Sequence, residues 1–115
     1  MYKRQALDIV QIDSCRIGGL NEILSVLLLA HKYDKPVWPH AGGVGLCEYV
    51  QHIAMIDYLL ISCEKNSKRI EYVDHLHEHF LNPCKVKAGK YSAPLHPGFS
   101  IEMKNETLTN YLYSD

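Results

Sequence analysis

Ile9-Val10-Gln11-Ile12-Asp13 and Pro36-Val37-Trp38-Pro39-His40 are the two stretches whose reading decides the fold. Each is a short, mostly apolar run ending on an ionisable residue, and each leads into paired glycines, Gly18-Gly19 and Gly42-Gly43. Between them, Leu20 to Tyr33 carries Leu20, Ile23, Leu24, Leu27 and Leu28 at the i, i+3, i+4, i+7, i+8 spacing of an amphipathic helix. The pattern predicts strand, helix, strand, with Asp13 and His40 at the C-terminal ends of consecutive strands. In a barrel of alternating strands and helices, catalytic side chains sit at that position.

Working outward, residues 1 to 7 read as the tail of a preceding element. Asp34-Lys35-Pro36 stops the first helix, because proline cannot continue it. A second helix is predicted from Leu46 to about Tyr58, with Leu46, Tyr49, Val50, Ile53, Ala54 and Asp57 on one side. Leu59-Leu60-Ile61 is an apolar patch expected as a third strand, and Glu64 to Arg69 as a polar loop. Beyond it, Pro83, Gly89, Pro94, Pro97 and Gly98 punctuate a segment without a sustained period, expected as an irregular tail or a short-stranded cap. The last dozen residues are polar and are expected to fray.

Alternation of strand and helix signals an α/β fold with a parallel sheet. Two helices cannot cover both faces of such a sheet, so the expectation is a section of something larger. An eight-stranded α/β barrel takes about 250 residues, and a 115-residue piece would hold roughly its last third. Residues 1–80 are then the barrel segment and 81–115 the tail, packing toward a capping domain.

The formal charge of −1 and the 47% apolar content exclude a strongly basic nucleic-acid or membrane-surface binder. The run from Ile23 to Ala30 is too short to span a bilayer. Lys3-Arg4-Gln5 is followed by a mixed segment rather than the apolar core of a secretory signal. Cys15, Cys47, Cys63 and Cys84 lack close C-x-x-C pairing, which favours reduced structural thiols in an intracellular protein over a disulfide scaffold or a zinc ribbon.

Three strings carry a family resemblance: Gln11-Ile12-Asp13-Ser14-Cys15-Arg16-Ile17-Gly18-Gly19, Pro39-His40-Ala41-Gly42-Gly43-Val44-Gly45-Leu46, and Glu71-Tyr72-Val73-Asp74-His75-Leu76-His77-Glu78-His79-Phe80. Over essentially its whole length the chain resembles the C-terminal part of the enolase superfamily. The closest likeness is to its mandelate-racemase-like branch, within the fuconate dehydratase group. The resemblance implies strands six to eight of an enolase-type TIM barrel. It implies a hydro-lyase that removes a proton α to the carboxylate of a small-molecule sugar acid such as L-fuconate. Mg²⁺ stabilises the enediolate, the β-hydroxyl departs, and a 2-keto-3-deoxy sugar acid results.

By that resemblance His40, ending strand seven, is the acid/base histidine that protonates the departing hydroxyl. Asp13, ending strand six, is its hydrogen-bonded partner, and Glu71, after strand eight, contacts the substrate. The family's base is a lysine of a K-x-K pair on strand two, and its three Mg²⁺ ligands lie on strands three to five. Lys85-Val86-Lys87 falls too late to be that pair, so no metal ligand is assigned in this chain. The 115 residues alone are expected to be inactive, while the complete enzyme is a candidate homo-oligomer without nucleic-acid or membrane partners. A mitochondrial or a cytoplasmic address would be written upstream.

The residues also carry plainer readings. Asp13 can simply cap a turn, His40 can be a satisfied core histidine, and Glu71 a solvated surface residue. Gly42-Gly43 and Gly45 permit a tight turn, beside a ligand or not. Arg16 can pair with an anionic substrate or with solvent. His75-Leu76-His77-Glu78-His79 contains H-x-x-E-H, the pattern of an inverted zinc-protease helix, although a surface His-rich segment is the favoured reading. A functional alternative of another class is a shorter, non-catalytic product that works as an interaction polypeptide, or a partial reading of a longer gene.

Overall fold

In the computed structural model, which describes residues 7–64 and 68–113, the two decisive stretches lie side by side in parallel. The Val10 N–H donates to the Pro36 carbonyl, the Trp38 N–H to that of Val10 and the His40 N–H to that of Ile12, each at 2.9 Å. On the other side, the Glu71 N–H donates to the Pro39 carbonyl at 3.3 Å. Three neighbouring segments therefore end at one edge, and they carry Asp13, His40 and Glu71 in that order. Residues 1–6 and 65–67, including part of the expected polar loop, lie outside the described residues, as do the final two.

Helix α1 spans Leu20–Lys32, close to the expected range. It begins after Gly19, with Glu22 in its first turn and His31 and Lys32 in its last, which suits the helix dipole. Its buried line is Ile23, Leu27 and Ala30, which join Ile12, Val37 and Ile53 in one core. Leu28, on the expected apolar stripe, is instead more than half exposed, as is Leu29 beside it.

Helix α2 spans Leu46–Ile56 and follows Gly45, whose φ of +75° is the left-handed conformation that favours glycine. A Cβ at Gly45 would also press on the Phe80 ring, at 3.0 Å. Leu46, Cys47 and Val50 form a second core with Ala41, against which Ile70, Val73 and Tyr91 pack.

The expected strand at Leu59-Leu60-Ile61 is not formed: Asp57–Ser62 continues α2 as a π-helical turn. Asp57 is buried and ion-paired to Lys68 at 2.5 Å, and the Ser62 hydroxyl donates to the Asp57 carbonyl at 3.2 Å. Those contacts hold the segment helical and leave Leu60 77% exposed. The sheet position beside Pro39 is taken by Glu71 instead. A short apolar run does not by itself distinguish helix from strand.

After residue 80 the chain takes the short-stranded of its two expected forms. Strands β1 (Val86–Lys87) and β2 (Lys90–Tyr91) make an antiparallel hairpin. Ala88 and Gly89, both at positive φ, supply its turn. Met103 bridges Phe80 in antiparallel fashion. Part of the stretch expected to fray is helix α3, Asn105–Asn110, and His79 Nδ1 lies 3.2 Å from the hydroxyl of its Thr107. His52 on α2 meets the Ser100 hydroxyl at 3.1 Å, and burial holds its pKa below the usual imidazole value. No helix among the described residues is long and apolar enough to cross a membrane.

Candidate active site

His40 lies between two carboxylates. Its Nδ1 is 2.5 Å from Glu71 Oε2 and its Nε2 is 3.8 Å from Asp13 Oδ2. The same Glu71 oxygen accepts the Ala41 N–H at 2.8 Å, so it is fixed by the backbone that follows His40. The His40 side chain keeps 34% of its surface open and Glu71 37%, which excludes a sealed core histidine and leaves both within reach of a ligand.

Asp13 both caps a turn and faces His40. Its Oδ1 accepts the Cys15 N–H at 2.9 Å, while its Oδ2 meets Arg16 Nε at 3.2 Å. These ties draw the carboxylate toward its own loop. The contact with His40 is thereby an ion-pair approach rather than the expected hydrogen bond, which requires a separation of about 3 Å. Glu71 is the close partner of the ring. Arg16 is 85% exposed and pairs with Asp13.

The Gly42 position is a requirement of the site. A Cβ there would lie 2.5 Å from His40 Cε1 and 3.0 Å from Nε2, so any larger residue displaces the imidazole. In a full-length protein carrying this section, Gly42→Ala is expected to lower any turnover that depends on His40 by about 10- to 100-fold, since misplacing a reacting group by about 1 Å costs on that order. Steady-state kinetics should show the loss mainly in kcat.

The remaining candidates disperse. Lys85-Val86-Lys87 is part of the hairpin, with Val86 and Lys87 in β1. His75 and His79 do not share an α-helical turn: Leu76 has φ of +61°, and only His77–His79 form a 3-10 turn. His77 turns inward, with Nδ1 2.6 Å from Oε1 of Glu48, a carboxylate that is 1% exposed. That buried pair escaped the sequence reading. Its one signal was an acidic residue between apolar neighbours at the start of α2.

Mg²⁺ takes oxygen ligands in octahedral geometry. Among the described residues, the one group of three or more side chains placed to share a metal is Cys47, His77 and Cys84, a sulfur and nitrogen set that does not fit Mg²⁺. Burial, with Glu48 nearby, pushes the Cys84 thiol up to about 12, so at neutral pH it is a protonated thiol rather than a nucleophile.

The family model for enolase C-terminal domain-like proteins matches residues 1–107. The chain belongs to the enolase C-terminal domain-like family. Mitochondrial enolase superfamily member 1 of Homo sapiens is 50% identical over 115 residues, covering 100% of this chain and 26% of that protein. L-galactonate dehydratase of Hypocrea jecorina is 54% identical over 108 residues, or 94% of this chain and 24% of the relative. The crystal structure of human mitochondrial enolase superfamily member 1 superposes with a TM-score of 0.84 at 54% identity, over 87% of this chain and 23% of that one. The expected fold, a C-terminal portion of an enolase-type barrel, is thus that of this chain, which spans about a quarter of the length of the relatives it matches.

Proposed function

We propose that this chain supplies the proton-donating side of a sugar-acid dehydratase site, acting on L-fuconate or a near relative such as L-galactonate. The observation that carries the reading is the His40 imidazole clamped by Glu71 at the ends of adjacent segments. A relative named L-galactonate dehydratase, 54% identical, supports the reaction class.

Hydroxide is a poor leaving group near neutral pH, so β-elimination needs an acid. Nδ1 of His40 is occupied by Glu71, which orients the ring and leaves Nε2 to exchange a proton with substrate. As the β-carbon–oxygen bond breaks, the oxygen departs with the bonding pair and takes the Nε2 proton, forming water. Neutral His40 then recovers a proton from solvent. Asp13 supplies negative charge beside Nε2. Glu71 is a positioning residue in this scheme and lines the space that the substrate would enter.

The α-proton must leave to a base that these residues do not provide, and no described cluster suits Mg²⁺. The 115-residue chain by itself is accordingly proposed to be inactive. The test is a full-length protein carrying this section, incubated with Mg²⁺ and either L-fuconate or L-galactonate. Stoichiometric release of an α-keto acid from one of them is expected. A folded full-length protein that turns over neither would overturn the reading.

A further inference from the structure

A second cluster lies across the junction of α2, the 73–77 segment and the loop before β1. Cys47 and Glu48 stand in the first turn of α2, His77 in the short 3-10 turn, and Cys84 just before β1. The Sγ atoms of Cys47 and Cys84 and a ring nitrogen of His77 all lie within 4.8 Å of one another. Cys84 Sγ is 3.8 Å from His77 Nδ1. Tetrahedral zinc with ordinary bond lengths sets sulfur and nitrogen ligands about 3.6 Å apart. We propose that Cys47, His77 and Cys84 are three ligands of a structural Zn²⁺ site, with Glu48 beside His77 to complete it.

The surroundings are arranged as zinc ligands need. His77 Nε2 is 2.9 Å from the Val73 carbonyl, which can only accept, so Nε2 carries the proton and Nδ1 turns toward the cluster. Glu48 Oε1 is 2.6 Å from that Nδ1 and 3.3 Å from the Cys84 N–H, so the carboxylate stands against the ring nitrogen that would bind the metal. The Val73 N–H points at Cys47 Sγ at 3.5 Å, and the thiol is directed at the Ala41 and Val73 carbonyls, 3.7 and 3.6 Å away, until a metal displaces its proton. Tyr72 stacks on the His77 ring, with centroids 5.6 Å apart and planes 10° from parallel. Two thiolates and an imidazole select zinc over Mg²⁺ or Ca²⁺.

The exchange balances without redox chemistry. Zn²⁺ replaces the two thiol protons and the proton between His77 Nδ1 and Glu48, and three protons pass to solvent. The metal would tie α2, which follows the His40 loop directly, to the segment that carries Glu71. It would thereby brace the candidate acid site from behind.

The test uses the full chain, reduced and stripped with a chelator, then titrated with Zn²⁺ against a chromophoric competitor. One equivalent binding with Kd below about 0.1 μM is expected, a strength in the range of structural zinc. Co²⁺ in its place should show thiolate charge-transfer absorption and tetrahedral d–d bands. Cys84→Ser should weaken Zn²⁺ binding at least 100-fold at unchanged far-UV circular dichroism. Cys15→Ser with Cys63→Ser, and His75→Ala with His79→Ala, should leave it unaltered. Absence of binding below about 10 μM, cobalt spectra without thiolate bands, or full affinity in Cys84→Ser would overturn the site. So would a reduced protein that returns only a Cys47–Cys84 disulfide and takes up no metal.

Discussion

Replacing His40 by asparagine in the complete enzyme is expected to lower sugar-acid dehydration by about 10²- to 10⁴-fold, the usual worth of a positioned general acid. Asparagine keeps an N–H for Glu71 and a similar volume, so substrate binding should change little. What it lacks is a proton to release at the position of Nε2. The loss should therefore appear in kcat rather than KM. Exchange of the α-hydrogen in ²H₂O should persist, because that proton leaves to a different group. A substrate analogue with fluoride at the β-position needs less protonation of its leaving group and should lose far less rate. Equal losses on the hydroxyl and fluoride substrates, or no loss at all, would remove His40 from the role assigned to it.

In the metal-free chain, His77→Leu is expected to destabilise the fold by about 3–5 kcal/mol, the cost of leaving one member of a buried ion pair uncompensated. Glu48 is 1% exposed, and its Oε1 is held by His77 Nδ1 and the Cys84 N–H. With the ring gone, the donors that Cys84 offers the carboxylate, its N–H and its thiol, are neutral. The double replacement Glu48→Leu with His77→Leu should recover most of that loss, since an apolar pair of similar volume needs no charge compensation. Urea unfolding in the presence of chelator measures both variants apart from any metal contribution. A single variant within about 0.5 kcal/mol of the parent would show that the pair carries no structural weight.

The candidate site was legible because its signals are local. Asp13 and His40 each end an apolar run and precede paired glycines, and strand ends are where a barrel presents reactive groups. Glu71 was legible only through its motif, because nothing in its immediate neighbours separates it from a surface glutamate. Misreadings occurred where a local pattern admits two structures. Leu59-Leu60-Ile61 is as apolar as a strand, yet Asp57, buried against Lys68, keeps the chain helical there. By contrast, H-x-x-E-H has the spacing of a metal-binding helix, a reading the sequence did not favour, and Leu76 at positive φ prevents the α-helical turn that would align His75 with His79.

Chain order and periodicity by themselves determined that two parallel segments flank a helix and that an acid and an imidazole end them, since apolar period and glycine breaks are properties of consecutive residues. Only the tertiary structure decided which carboxylate holds the imidazole. Asp13 is drawn toward its own turn by the Cys15 N–H and Arg16, while Glu71, 31 positions beyond His40, arrives beside it through the hydrogen bond to Pro39. The tertiary structure likewise gathered Cys47, Glu48, His77 and Cys84 from three separate segments. Such contacts depend on packing between distant parts of the chain, and no spacing rule along the sequence encodes them.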